Sequence, residues 1–178
     1  MAKTFFISDT HFGHENIIKF CSRPFANVHE MNQVLTDNWN STVGPEDTVY
    51  HLGDFSMGGK PHSYAKRLNG KKILILGNHD RESQLSACGF FHKIRNYEKI
   101  EIDGKIVHLK HYPFKPNVSE YDVKFIDRML EDDGNWLIHG HVHNSKPVLT
   151  GKSINVSCEW HNYTPVSEED IIKIMRSV

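Results

Sequence analysis

Ile73-Leu74-Ile75-Leu76-Gly77-Asn78-His79-Asp80 is a run of four aliphatic residues that stops on a glycine and then delivers three polar side chains in a row. Consecutive apolar residues bounded by a turn residue read as a strand buried on both faces. Gly77 marks the exit, because a chain leaving a strand sharply needs backbone angles or a close approach that glycine tolerates. Outward from this segment the pattern recurs four times. Phe5-Phe6-Ile7 leads to Asp9-Thr10-His11, and Val49-Tyr50-His51-Leu52 leads to Gly53-Asp54. Ile106-Val107-His108-Leu109-Lys110 leads to His111, and Leu137-Ile138-His139 leads to Gly140-His141-Val142-His143. In α/β sheets ligand sites lie beyond the carboxyl ends of the strands, so five such strands can aim their polar ends at one crevice.

Between the apolar runs lie segments with helical periodicity, the alternation of an α/β protein. The pattern predicts strands at 4–8, 48–52, 72–76, 99–102, 106–110, 136–139 and 153–157, and helices at 15–20, 28–42, 61–68, 82–88, 119–131 and 168–177. Asp103-Gly104 predicts a hairpin turn. Ser167 reads as the N-cap of the last helix, with Glu168, Glu169 and Asp170 favouring the positive end of its dipole. No repeat, low-complexity stretch or long linker divides residues 1–178, so a single domain is expected.

A formal charge of −1 argues against a general polyanion-binding surface, so any nucleic-acid contact would be local. The three cysteines, Cys21, Cys88 and Cys158, form no CxxC pair and suggest neither a disulfide framework nor a thiolate site. The apolar stretch near the N-terminus is too short for a signal core or a membrane span, which predicts a cytoplasmic protein without a membrane partner. The oddity is thirteen histidines, several beside aspartate or glycine at the ends of apolar runs, and this invites a metal reading.

Asp9, His11, Asp54, Asn78, His111, His141 and His143 supply seven oxygen or nitrogen donors, more than a four-coordinate zinc site takes. Two ions sharing a carboxylate would use them all. Asp54 is the natural bridge, since each of its oxygens can serve one ion at the roughly 3.5–4 Å separation of two-metal sites. His141 and His143 stand two apart, and in a tight loop after a strand each can take a different ion.

In this order, Asp-x-His, Gly-Asp, Gly-Asn-His-Asp, an isolated His and Gly-His-x-His resemble the signature of the calcineurin-like metallophosphoesterases, over Phe5 to His143. The start at Asp9-Thr10-His11-Phe12-Gly13-His14-Glu15-Asn16 and the close at Asn155-Val156-Ser157 resemble a small bacterial or phage-type branch. The resemblance implies a two-sheet β-sandwich flanked by helices. It places Asp9, His11 and His143 on a first ion, Asn78, His111 and His141 on a second, and Asp54 between them. It puts His79 over the substrate phosphate, protonating the leaving oxygen or stabilising the transition state, with Asp80 holding its ring. The implied reaction is metal-dependent hydrolysis of a phosphate ester.

Imidazole, carboxylate and amide donors without thiolate suit divalent transition metals: manganese is expected to support activity in vitro, and iron, zinc, cobalt and nickel fit the same donors. With no cap domain and a near-neutral charge, the cleft suits a small phosphorylated substrate, a phosphodiester such as a nucleotide or cyclic nucleotide. A phosphoprotein phosphatase or a nuclease would use the same chemistry. A catalytically dead binding module would share the fold, but every ligand position and His79 are kept here. Residues 12–45 and 112–120 are the loops long enough to wall the pocket.

Other polar residues have ordinary readings. His51, His108 and His139 lie inside strands and read as hydrogen-bonded structural histidines, while His29, His62, His92 and His161 read as surface. Arg23, Arg81, Lys110 and Lys115 read first as solvated charge. Arg81, directly after the Gly-Asn-His-Asp loop, is the best placed of them to meet an anion, and His14 follows Asp-x-His closely enough to overhang the site.

Overall fold

The computed structural model describes residues 2–58, 60–116 and 124–178. Its first sheet has the order β10-β1-β2-β3-β4, built from β1 (Thr4–Ile7), β2 (Thr48–His51), β3 (Lys71–Ile75), β4 (Lys93–Arg95) and β10 (Val166–Ser167). β1 to β4 run parallel, and β10 closes one edge antiparallel to β1. The second sheet has the order β5-β6-β7-β9-β8, from β5 (Glu98–Ile102), β6 (Lys105–Leu109), β7 (Trp136–His139), β8 (Leu149–Thr150) and β9 (Ser153–Asn155). Here β6, β7 and β9 are parallel, with antiparallel strands at both edges.

The alternation of side chains along each strand builds two cores. Phe5, Ile7, Val49 and Leu74 face one way and pack with Met31, Leu35 and Trp39 of α2 (Val28–Thr42), Ile17 of α1 (Glu15–Phe20), Ala65 of α3 (Pro61–Ala65) and Leu85 of α4 (Glu82–Cys88). Phe6 and Ile75 face the other way and meet Val107, Leu109, Ile138 and Ile154 of the second sheet, together with Ile171 and Met175 of α5 (Glu168–Met175). The second core joins the two sheets face to face, which makes the sandwich. Burial on both faces explains the unbroken apolar runs of the first and third strands.

Local signals hold where they rest on chemistry. Asp103 and Gly104 have φ of 51° and 71°, the pair of positive angles a two-residue hairpin turn requires. The Ser167 side chain accepts from the Asp170 N–H at 3.1 Å, capping α5 as expected. α2 is capped by Asn27, whose Oδ1 accepts from His29 and Glu30 at 3.0 Å each. Three strands went unpredicted: β4, β8 and β10 have two or three residues each, too few for a periodic signal. The predicted helix at 119–131 begins outside the described residues. The described remainder holds only a 3-10 turn, Ile126–Arg128, entered through Phe125 at φ 69°. A left-handed residue there blocks a continuing α-helix.

Candidate metal centre

All seven predicted donors meet at the carboxyl ends of five strands, three strands from the first sheet and two from the second. β1 delivers Asp9 and His11, β2 delivers Asp54, β3 delivers Asn78, β6 delivers His111, and β7 delivers His141 and His143. The strand exits are severe: Asp9, His11, Asp54, His141 and His143 have φ of 57°, 49°, 55°, 71° and 46°. Left-handed backbone is costly for residues with a Cβ and collects at functional sites. Gly53 and Gly77 are there because there is no room for more. A Cβ on Gly53 would stand 2.5 Å from His111 Nδ1, and one on Gly77 would stand 2.6 Å from the Asp54 amide nitrogen and against the Asp54 carboxylate.

Asp54 sits between two histidine groups. Its Oδ2 lies 3.6 Å from His11 Nε2 and 3.6 Å from His111 Nε2. On one side Asp9 Oδ1 lies 3.7 Å from His143 Nε2, and the His11 and His143 rings stack at 5.2 Å. On the other, Asn78 Oδ1 lies 3.2 Å from His111 Nε2, and the His111 and His141 rings meet at 5.1 Å. Asp9, His11 and His143 offer ligand atoms within 4.8 Å of one another, and so do Asp9, Asp54 and His111. The second set crosses the two groups, so the donors form one continuous cage.

Hydrogen bonds hold Asp9 and His111 from behind and leave atoms of Asp9 and His11 without a partner among the described residues. Asp9 Oδ2 accepts from the Ser157 hydroxyl and the His141 N–H, both at 2.9 Å. Its Oδ1 is buried and has no hydrogen-bond partner among the described residues, and the same holds for His11 Nε2. His111 Nδ1 lies 2.7 Å from the Leu52 carbonyl, which accepts and therefore fixes the proton on Nδ1, turning the Nε2 lone pair into the cage. Buried polar atoms without partners cost free energy unless something else meets them. Divalent cations are groups that fit: Asp9 Oδ1, His11 Nε2, His111 Nε2 and Asp54 are the atoms and side chains that would hold them.

The charge balance points the same way. Burial drives the Asp54 carboxyl up, and Asp9 and Asp80 add to this against the opposing pull of His111, so that it sits at about 6. Burial also opposes ionisation of Asp9, but His143, His111 and His11 outweigh it and hold that carboxyl well below the usual range. Desolvation lowers His11 and takes His141 to about 4, leaving neutral imidazoles. Two buried carboxylates beside the neutral rings of His11 and His141 are a receptor for positive charge.

Asp80 does not hold the His79 ring. Its Oδ2 accepts from the Asp54 and Gly77 N–H groups at 2.8 and 2.9 Å, and its Oδ1 accepts from Phe55 at 3.0 Å. Three orphan amides of the strand exits claim this carboxylate, which makes it a staple for the loop carrying Asp54. His79 is tied instead through its main chain, whose N–H donates to Asp54 Oδ1 at 2.9 Å, and its ring Nε2 lies 4.0 Å from Asp54 Oδ2. That ring is half-exposed and lines a cavity of about 450 Å³ with Ser56, Met57, Asn78, Arg81 and Gln84. His14 packs on a donor, its Nδ1 3.3 Å from His11 Nδ1.

The structural histidines behave as expected: His51 bonds Thr10 at 2.9 Å, His108 joins Tyr97 and Asp133, and His139 donates to the Gly140 carbonyl. His161 is a correction. It is half-buried, and its Nε2 donates to the Asn155 carbonyl at 3.0 Å. Lys110 and Lys115 are partly buried on local partners, Asn96 and Glu131. Arg23 is also a correction: it is 4% exposed and lies beneath the cage, not on the surface. Glu159, which sequence reasoning missed altogether, accepts from His143 Nδ1 at 2.8 Å and from Arg23. The only local sign of either residue is a lone charge beside apolar neighbours, Arg23 before Pro24-Phe25 and Glu159 before Trp160.

Residues 3–157 match the sequence profile of the calcineurin-like phosphoesterase superfamily domain. The chain belongs to the calcineurin-like phosphoesterase superfamily. It is thus a metal-dependent phosphoric ester hydrolase, with the superfamily's divalent-metal chemistry and a donor cluster to match. This phosphoesterase is 42% identical to an uncharacterized protein of Methanocaldococcus jannaschii over 98% of its own length and 92% of the relative's. It is 32% identical to the Gene 66 protein of Mycobacterium phage L5, over 87% and 83% of the two chains. The crystal structure of a protein of unknown function from Aquifex aeolicus superposes on it with a TM-score of 0.74 at 34% identity, covering 98% of this chain and 100% of the other. Phage relatives agree with the phage-type start noted in the sequence.

Proposed function

We propose that this phosphoesterase holds two divalent transition-metal ions and hydrolyses a small phosphodiester such as a nucleotide or cyclic nucleotide. The observation that carries the reading is the cage itself, seven candidate donors from five strands with buried atoms of Asp9 and His11 left without a partner among the described residues. Asp9, His11 and His143 would hold one ion, Asn78, His111 and His141 the other, and Asp54 would serve both. When bound, the ions supply Lewis-acid activation of water and neutralise non-bridging phosphate oxygens. Manganese is the expected activator, since no thiolate donor selects a softer metal.

The chain's own residues do the rest. Ser157 and the His141 amide fix the Asp9 carboxylate, and the Leu52 carbonyl fixes the His111 tautomer, so the cage is preorganised before substrate arrives. His79 stands at the cage wall with its ring in the 450 Å³ cavity, placed to give a proton to the leaving oxygen. A general acid of this kind contributes about 10²–10⁴ in rate. Arg81 lines the same cavity and is positioned to meet the anionic or polar part of the leaving group. The cavity takes one substituent of modest size, which supports a small ester over a macromolecular track. Among the described residues no helix is long and apolar enough to cross a membrane, and the three cysteines are free. A single-domain enzyme of the cytoplasm accommodates both facts.

The test is parallel hydrolysis of an aryl phosphodiester and the matching aryl phosphomonoester by metal-free protein reloaded with manganese, zinc, nickel or magnesium. Turnover of the diester, greatest with manganese, is expected. No product with any metal would remove the catalytic reading, and a strong preference for the monoester would remove the diester assignment.

A further inference from the structure

We propose that the buried Arg23–Glu159 pair is a positioning clamp for the Asp9–His11–His143 half of the cage, fixing the His143 tautomer and the Asp9 loop with one guanidinium. It rests on the metal reading of that cage and adds two residues that touch no predicted ligand atom's free face.

The geometry is specific. Arg23 NH2 donates to the Asp9 carbonyl and to Glu159 Oε1, both at 2.6 Å, and Nε donates to the same Oε1 at 3.0 Å. Its NH1 donates to the Thr10 carbonyl at 3.0 Å. Asp9 and the next donor, His11, are left-handed, so the carbonyls of residues 9 and 10 point away from any ladder and need a donor from elsewhere. Arg23, whose side chain is fully buried, supplies it. On the far side Glu159 Oε1 takes the His143 Nδ1 proton at 2.8 Å. A carboxylate on Nδ1 keeps the proton there and directs the Nε2 lone pair toward Asp9 Oδ1, 3.7 Å away.

A purely stabilising role explains this pair poorly. Replacing a buried ion pair by apolar residues is often neutral or favourable, and Glu159 Oε2 is left buried and without a hydrogen bond among the described residues. Cys21, His143 and Glu159 also cluster closely enough to suggest a further cation site. Arg23 already supplies the positive charge Glu159 needs, so the guanidinium takes the place of an ion there.

The experiment is a calorimetric titration of metal-free protein with Mn²⁺, comparing wild type with Glu159→Ala and Glu159→Gln, alongside ¹⁵N shifts of the His143 ring without metal. Glu159→Ala should weaken one of the two ions by about 10- to 100-fold, the range for loss of such an orienting partner, and leave the other unchanged. It should also return the ring to mixed tautomers. Glu159→Gln keeps the volume and an accepting oxygen, so it should recover most of the affinity. If Glu159→Ala fails to fold, Glu159→Asp, which withdraws the carboxylate from the ring while keeping its charge, should show the same one-site loss. Unchanged affinity at both sites, or equal weakening of both with the tautomer intact, would overturn the clamp while leaving the metal reading standing. Wild-type protein that takes up no ion overturns both.

Discussion

Asp54 is the residue on which the cage turns. Its carboxylate is 2% exposed, it reaches histidines on both sides, and its main chain is left-handed. Three neighbours restrain it: Asp80 accepts from its amide, the His79 amide donates to its Oδ1, and Gly77 leaves the space its side chain fills. Asp54→Asn preserves the shape and removes the charge, so metal occupancy and turnover should fall together. Elemental analysis beside kinetics checks this, and a variant with full metal content and near-normal rate would refute the bridging role. His79→Ala removes a ring that forms the cavity wall and makes no side-chain hydrogen bond among the described residues. It should keep both ions while turnover drops by about 10²-fold or more, most for esters with poor leaving groups. Metal loss, with a rate deficit indifferent to the leaving group, would show that His79 is a ligand or a prop.

At the scale of elements, α1 and α2 carry the cage's support from outside the sheets. The chain between them places Arg23 under Asp9, and α2 buries Met31, Leu35 and Trp39 at four-residue spacing against the first sheet. Asn27 starts α2 by accepting two otherwise unpaired N–H groups. Asn27→Ala should cost about 1 kcal/mol of stability, as a lost N-cap does, with metal affinity unchanged. Urea unfolding measures the first and metal titration the second. A large loss of affinity would mean that the start of α2 governs the site.

Over the whole molecule, packing two sheets around a polar cage puts basic groups where water does not reach. Burial takes His51 to about 3 and His139 to about 4, from 6.5. Because these folded values lie below the unfolded one, the unfolded chain takes up protons the folded chain refuses. The neutral histidines therefore cost nothing above pH 6.5, and stability is lost as pH falls from there toward 3. Metal-free protein should thus show a urea midpoint that falls between pH 7 and 4, and His51→Gln should flatten that slope. An unaltered slope would mean another group controls the acid limb.

The five strands that end in candidate donors were readable along the chain, since each couples a largely apolar run to glycine or a metal-type side chain within a few residues. β4, β8 and β10 were not, because two or three residues carry no period and exist as strands only through partners far away in the chain. Arg23 and Glu159 stand 136 positions apart, and no spacing announces that they meet. Asp80 shows the same limit at close range: next to His79 in sequence, it turns to three amides that only the folded strand exits bring together. By itself, then, the sequence determined the candidate donors, their order and the strands that carry them, because periodicity and turn chemistry act between near neighbours. Which side chains hold those donors in place was decided by the tertiary structure alone, because a buried hydrogen-bonding group takes whatever partner lies within about 3 Å, however far along the chain that partner comes from.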